Sequence, residues 1–170
     1  MWRNNMELTE ALEKVLVSYR RYYNILRNDE VEPPFVAEAL FRSHNEQYFL
    51  IKKAKVAEIN SNEDVFFYTT EELNSETLHK LDSCAWERGL SRVKPDGNHR
   101  NSDVTLVIIA EHIDESTLKE VRKMKHYQSY RFGLHGWSNY RLVALELSTG
   151  KLAFNRQGQI LKKLFRNITK

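Results

Sequence analysis

Two histidines and a glutamate are the side chains of this sequence with the clearest potential for metal chemistry. Glu111 and His112 directly follow an apolar segment, and His135 follows a second predicted strand. If these strands are parallel neighbours, the loops beyond their carboxyl ends converge at one edge of the sheet. Two imidazoles and a carboxylate suit zinc, manganese or iron. The sequence therefore allows a divalent metal site at Glu111, His112 and His135; the alternative is that they are hydrogen-bonded rim residues.

The segment Gly133–Trp137 is a second candidate site. Its two glycines bracket a histidine, which indicates a backbone conformation or a close approach that a side chain would prevent. Trp137 lies near polar and basic side chains and would suit stacking on a base or anchoring of a peptide. The alternative is a tight connection in which Trp137 covers the core. The candidate binding residues here are Arg131, His135, Trp137, Asn139 and Arg141.

Basic residues are concentrated in the last third of the chain. Residues 119–170 hold twelve Lys and Arg against two Glu, a balance of +10, whereas residues 1–118 carry −7 within a total of +3. A region of one sign attracts oppositely charged molecules, unless the two regions neutralise each other in space. The predicted phosphate contacts, which include the candidate binding residues Lys162 and Lys163, are Arg122, Lys123, Arg131, Arg141, Arg156, Lys162, Lys163 and Arg166.

The compact motifs of common enzyme classes are missing from the sequence. There is no H-E-x-x-H, no paired C-x-x-C, no G-x-S-x-G and no G-x-G-x-x-G. Thr149-Gly150-Lys151 resembles the end of a phosphate loop, but no glycine-rich segment precedes it, and we interpret it as a hairpin turn. The sequence therefore predicts no catalytic residue and leaves open whether the protein is an enzyme.

Length and composition predict one globular domain over residues 1–170. The chain is 41% apolar and 29% charged, which is normal for a folded domain of this size. Its longest apolar run, Val104–Ala110, is far shorter than the ~20 residues that a membrane-spanning helix needs. The first fifteen residues show no secretory pattern, and the single Cys84 fits a reducing compartment. We therefore predict a cytoplasmic protein with no membrane partner; its oligomeric state is not predicted.

The elements that would position these residues centre on the apolar strand Val104–Ala110. A helix at Glu115–Lys125 and a strand at Gln128–Gly133 follow, and this order predicts a parallel crossover. Two further apolar segments, Tyr140–Leu147 and Leu152–Phe154, flank turn residues and predict a C-terminal hairpin.

The first half of the chain adds helices and an antiparallel sheet. Apolar residues at spacings of three and four predict a helix from Leu8 to Leu26. Extended segments at Phe35–Arg42, Gln47–Ile59 and Val65–Thr69 predict a three-strand meander, and a helix capped at Thr70 or Asn74 follows. The predicted fold is α+β: a single domain with a mixed sheet that combines the meander, the crossover and the hairpin, with helices packed on it.

The order helix, three-strand meander, helix, strand from Leu8 to Ala110 resembles the core of the restriction-endonuclease-like fold. In that family, an acid early in the second strand and an acid-x-lysine pair on the third hold a magnesium ion and activate water. Here the third strand reads Asp64-Val65-Phe66-Phe67-Tyr68, and no acid-x-Lys triplet occurs in the chain. The resemblance therefore covers the order of elements, and no residue is carried over from it.

Three functional hypotheses follow from these patterns. The first is a small binding protein for an anionic partner, with nucleic acid preferred over an acidic protein. The second is a metal-dependent hydrolase or nuclease-like enzyme that uses Glu111, His112 and His135, and the divalent metal of that site is the cofactor the sequence allows. The third is a non-catalytic interaction subunit with a contact surface at Trp137 and the exposed edge of the hairpin.

Overall fold

One mixed sheet of seven strands organises the computed structural model, which describes residues 6–42, 60–97 and 99–170. The strands are β1 (Asn24–Arg27), β2 (Ala37–Arg42), β3 (Asn60–Leu73), β4 (His99–Ile113), β5 (Tyr127–Ser129), β6 (Trp137–Glu146) and β7 (Leu152–Phe154). The α-helices of the described residues are α1 (Leu8–Tyr19), α2 (Ser75–Ser91), α3 (Glu115–Lys123) and α4 (Lys162–Ile168). The α+β fold and the mixed sheet are confirmed.

The strands lie in the order β1-β2-β3-β4-β6-β5, and β7 also pairs with β6. The first three strands are antiparallel neighbours, whereas β3, β4 and β6 run parallel to one another. One edge of β6 pairs with β4. The other edge of β6 pairs with β5 near the start of the strand and with β7 near its end. This second edge carries the candidate site.

Helices cover both faces of the sheet. We call the face covered by α2 and α3 the first face and the face covered by α1 and α4 the second face. Along β4, Leu106 and Ile108 point to the first face, and Val107 and Ile109 point to the second. All four are fully buried, which explains the continuous apolar run of this strand.

The predicted parallel strand at Gln128–Gly133 is wrong in its extent and its direction. The strand spans only Tyr127–Ser129, and it pairs antiparallel with β6. The chain then turns through Arg131, Phe132 and Gly133, whose φ values of 47°, 55° and 88° are left-handed and end the strand. The parallel neighbour of β4 is β6, so the crossover exists but reaches a strand that begins at Trp137.

Three other predictions in the first half have different outcomes. The first helix ends at Tyr19, and Leu26 lies in β1, so the predicted extension to Leu26 is wrong. The predicted strand Gln47–Ile59 lies outside the described residues. The cap at Asn74 is confirmed, because its side chain accepts a hydrogen bond from the Thr77 backbone N–H at 2.8 Å.

The C-terminal hairpin is confirmed by the antiparallel pairing of β6 with β7. No helix in the described ranges is both long and apolar enough to cross a membrane.

Candidate functional site

A groove with basic walls lies at the edge of the sheet where β7 pairs with β6. Its volume is about 490 Å³, and it is lined by Arg122, Leu152, Phe154, Arg156, Gln159, Lys162 and Arg166. We call these seven residues the basic groove. Four of the seven side chains are cationic and none is acidic, so the groove is suited to an anionic ligand.

The two walls of the basic groove come from opposite faces of the sheet. Arg122 lies in the last turn of α3, which packs on the first face through Leu118 and Val121. The segment from Arg156 to Arg166 lies on the second face, where Phe165 is fully buried. The short strand β7 runs between the walls and supplies the apolar lining. This strand is three residues long, so the two walls lie on either side of a short edge.

Asn155 fixes the two walls relative to each other. This side chain is 1% exposed. Its Oδ1 accepts hydrogen bonds from the backbone N–H groups of Leu142 at 2.9 Å and Gly158 at 2.8 Å. Its Nδ2 donates to the carbonyls of Met124 at 3.1 Å and Tyr140 at 3.0 Å. One amide therefore connects β6, the end of α3 and the turn that leads into the second wall.

Gly158 is required at that turn because the backbone approaches β6 closely. A Cβ at this position would lie 2.6 Å from the Leu142 carbonyl oxygen and 2.8 Å from Asn155 Oδ1. A side chain would therefore displace the wall that carries Lys162 and Arg166.

The cations of the basic groove are largely free of internal partners. Arg156, Lys162 and Arg166 form no ion pair within the described residues. Arg122 lies 3.9 Å from Glu115, and both side chains are about half exposed, so this pair is weak. The positive charge of the groove is therefore available to a ligand.

Two buried acids of the first part of the chain, Glu38 and Asp64, are paired away from the groove. On the first face, Arg92 contacts Glu38 at 2.6 Å and Asp64 at 3.0 Å. Arg42 contacts Asp64 at 2.6 Å. Arg42 and Arg92 both belong to the acidic part of the chain. Glu38 and Asp64 are therefore paired with arginines of their own part of the chain, and neither pairs with a cation of the groove.

Arg141 belongs to a second buried network rather than to the groove. Its guanidinium donates to Glu63 at 3.1 Å and to Asp103 at 2.8 Å on the second face. Although burial opposes its charged form, these two carboxylates raise the pKa of Arg141. Asn139 donates its backbone and side-chain N–H groups to Asp103 at 3.3 Å. Arg141 and Asn139 therefore hold the strands together, and neither points to a ligand.

The other sequence-predicted binding residues are divided between two places. Lys162 lines the basic groove, and Lys163 is exposed beside it. Arg131 is exposed on the turn after β5, and Trp137 is half-buried at the start of β6. The His135 ring lies 3.3 Å from the Pro95 carbonyl oxygen. The segment Gly133–Trp137 is thus a braced connection at the opposite end of β6 from the groove.

The predicted metal site is not formed. Asn101 of β4 pairs with Trp137, which places His135 near the start of β4. Glu111 and His112 lie at the far end of the same strand, roughly 35 Å away. The predicted site requires His135 to follow a strand that runs parallel to β4. His135 instead precedes β6, which is the strand parallel to β4. It therefore lies beside the start of β4, whereas Glu111 and His112 lie at its end. Across the described part of the chain, no three His, Cys, Asp or Glu residues are grouped to hold a metal ion.

Sequence reasoning found the cations of the groove but missed what positions them. Arg122, Arg156, Lys162 and Arg166 are four of the eight predicted phosphate contacts. Asn155 was missed because an asparagine after a strand is also typical of an ordinary turn. The buried acids Glu63 and Asp103 were missed as well, because both lie in the polar first residues of their strands, where an exposed acid is ordinary.

The comparisons with known proteins add a family and no function. Neither the curated proteins nor the solved structures compared with this chain gave a match. One family model matches residues 7–167, which is almost the whole described fold. The chain therefore belongs to the family described as a domain of unknown function (DUF8052).

Proposed function

We propose that the protein binds an anionic, phosphate-bearing partner through the basic groove, with nucleic acid preferred over an acidic protein. The observation that carries the proposal is a concave surface of about 490 Å³ lined by four cations and no acid. Arg side chains can bind phosphate oxygens through two N–H groups at once, and Lys adds a compact charge.

The preference for nucleic acid comes from the distribution of the unpaired charge. Of the twelve Lys and Arg in residues 119–170, only Arg122, Arg141 and Lys151 form an ion pair among the described residues. Of the other nine, three line the groove and six add positive charge outside it. A long polyanion with regularly spaced phosphates can contact more of this surface than a few carboxylates of a folded protein can.

Direct titration of a labelled oligonucleotide at low salt tests the proposal. The double variant Lys162→Gln, Arg166→Gln removes two charges from the groove, and we expect an affinity about tenfold or more below that of the unmodified protein. The matched control, Lys14→Gln, Lys80→Gln, removes the same charge from exposed positions of α1 and α2. We expect its affinity to change by less than about twofold.

Two results would contradict the proposal. Equal losses in the groove variant and the control would indicate diffuse attraction without a site, and no binding at low salt would remove the function altogether. Tighter binding of a polyglutamate peptide than of the oligonucleotide would assign the groove to an acidic protein instead.

A further inference from the structure

An exposed apolar loop lies on the same sheet edge as the basic groove. Phe132 is 102% exposed and Leu134 is 79% exposed. Phe132 and the preceding Arg131 both have left-handed backbone conformations, with φ values of 55° and 47°. Left-handed conformations of non-glycine residues are unfavourable, and so is full exposure of a phenyl ring. Phe132 combines a left-handed backbone with a fully exposed ring, which indicates that its side chain has a role other than stabilising the fold.

The loop is braced rather than loose. The Tyr130 carbonyl accepts hydrogen bonds from the N–H groups of Gly133 and His135, each at 3.1 Å, and the Tyr130 N–H donates to the Gly136 carbonyl at 2.9 Å. The Tyr130 hydroxyl lies 2.9 Å from Ser138 Oγ. The His135 carbonyl accepts a hydrogen bond of 2.6 Å from the buried His99 ring. These bonds hold the backbone on both sides of Phe132.

Tyr127 lies between this loop and the basic groove. It pairs with Asn139, and Phe154 pairs with Val143, so Tyr127 and Phe154 project from the same face of the sheet. The two positions on β6 are four residues apart, which is about 13 Å along the edge. Tyr127 is 63% exposed. The loop with Phe132, the ring of Tyr127 and the basic groove thus follow one another along a single edge.

We propose that Tyr127 and Phe132 stack on unpaired bases of a single strand whose neighbouring phosphates occupy the basic groove. The partner is therefore single-stranded nucleic acid; this inference rests on the proposed function and narrows it. Aromatic side chains along a cationic groove bind single strands because every base has a flat face, whereas the bases of a duplex are already stacked. The span between Tyr127 and the groove corresponds to a few nucleotides.

Three labelled probes of equal length test this inference by titration: oligothymidylate, an abasic strand and a blunt duplex. We expect oligothymidylate to bind about tenfold tighter than the other two, because only it offers unpaired bases. Phe132→Ala and Tyr127→Ala should each weaken oligothymidylate binding about tenfold and leave the abasic strand unaffected. Val17→Ala, which trims another exposed apolar side chain on α1, is the matched control and should change neither.

Two further variants separate stacking from general apolar contact. Phe132→Trp should retain the affinity for oligothymidylate, whereas Phe132→Leu should lose it as Phe132→Ala does. If Phe132→Leu keeps full affinity for oligothymidylate, the contact is a general apolar one and the stacking role is overturned. If anionic phosphatidylserine vesicles bind in a Phe132-dependent manner while oligothymidylate does not, a lipid surface replaces the base as partner and the inference is overturned as well.

The outcomes distinguish this inference from the function on which it rests. Equal binding of all three probes, sensitive to Lys162→Gln, Arg166→Gln but not to Phe132→Ala, would overturn the stacking role and leave the groove intact. No binding of any probe would overturn both.

Discussion

The side-chain amide of Asn155 donates a hydrogen bond to the Met124 carbonyl at 3.1 Å and so joins the two walls of the basic groove. Met124 ends the helix that carries Arg122, and Asn155 precedes the segment that carries the other cations. The groove is thus held by one buried polar group that is not itself a candidate ligand contact.

Replacing Asn155 with Ala should destabilise the fold and weaken ligand binding together. Two buried N–H groups and two buried carbonyls lose their partner, and we expect the free energy of unfolding to fall by about 2–4 kcal/mol. Urea unfolding followed by circular dichroism measures the change. Asn167→Ala, at an exposed position of α4, is the control and should stay within about 0.5 kcal/mol of the unmodified protein. Equal stability of the two variants would refute the role of Asn155.

Replacing Arg141 with Met should have a larger effect on the free energy of unfolding than on the affinity for the oligonucleotide. The change leaves Glu63 and Asp103 buried without their cation, and the loss of one partner from a buried charge network typically costs about 3–5 kcal/mol. Arg131→Met removes an exposed cation and serves as the comparison in the same urea titration. A loss of oligonucleotide affinity in folded Arg141→Met protein, at unchanged stability, would instead place Arg141 in the binding surface.

Gly136→Ala and Gly133→Ala should differ although both glycines have positive φ. A Cβ at Gly136 would lie 2.0 Å from the Arg100 carbonyl oxygen, whereas nothing lies within 4 Å of one at Gly133. We expect losses of about 3–5 kcal/mol for Gly136→Ala and about 1 kcal/mol for Gly133→Ala, because only the first adds a backbone clash to the conformational penalty. Thermal unfolding compares them, and a smaller loss at Gly136 would contradict the close approach.

Alkaline pH should destabilise the protein through its buried phenols. Burial is the main cause that raises the pKa values of Tyr19, Tyr23 and Tyr140 above the ordinary value of about 10. The unfolded chain therefore loses these protons first, and stability that is present below about pH 10 is lost as the pH rises above it. The urea midpoint at rising pH measures this effect.

Tyr23→Phe isolates one of these phenols. Tyr23 donates a hydrogen bond to Glu63, so the variant should be less stable at neutral pH but should lose less stability above about pH 10. An identical alkaline slope in both proteins would show that Tyr23 does not contribute.

Salt should weaken oligonucleotide binding in proportion to the groove cations engaged. For a single strand, the logarithm of the affinity falls with the logarithm of salt by about 0.7 per neutralised phosphate. Four contacts predict a slope of about −3, and removing Lys162 and Arg166 should reduce its magnitude by about 1.4. A slope that the double variant leaves unchanged would mean that these side chains contact no phosphate.

The sequence predicts the fold best where one physical signal dominates. The apolar run of β4, the Asn74 cap and the turn of the β6–β7 hairpin each depend on local chemistry, and each is confirmed. The predicted strand at Gln128–Gly133 was wrong because alternating polar and aromatic residues also occur in exposed turns. The predicted arm Tyr140–Leu147 lacked the first residues of β6, Trp137–Asn139, because Asn139 pairs with the buried Asp103, a contact that only tertiary structure reveals.

The candidate site was predictable in its residue types but not in its location. The cations were visible as charge, yet their convergence depends on two helices meeting at a sheet edge over β7. The predicted resemblance to the restriction-endonuclease-like fold stays a prediction, since no solved structure matched. The charged clusters of β3 and β4 also escaped detection, because their arginine partners lie far away in sequence.

Helices α1 and α4 pack against each other on the second face, although about 150 residues separate them in the chain. During synthesis, α1 leaves the ribosome long before its neighbour exists, so that side of the sheet stays uncovered while most of the polypeptide is made. The wall that carries Lys162 and Arg166 is added in the same late step. A nascent chain whose second face is not yet covered therefore also lacks one wall of the basic groove, and the groove is complete only when the last helix has packed.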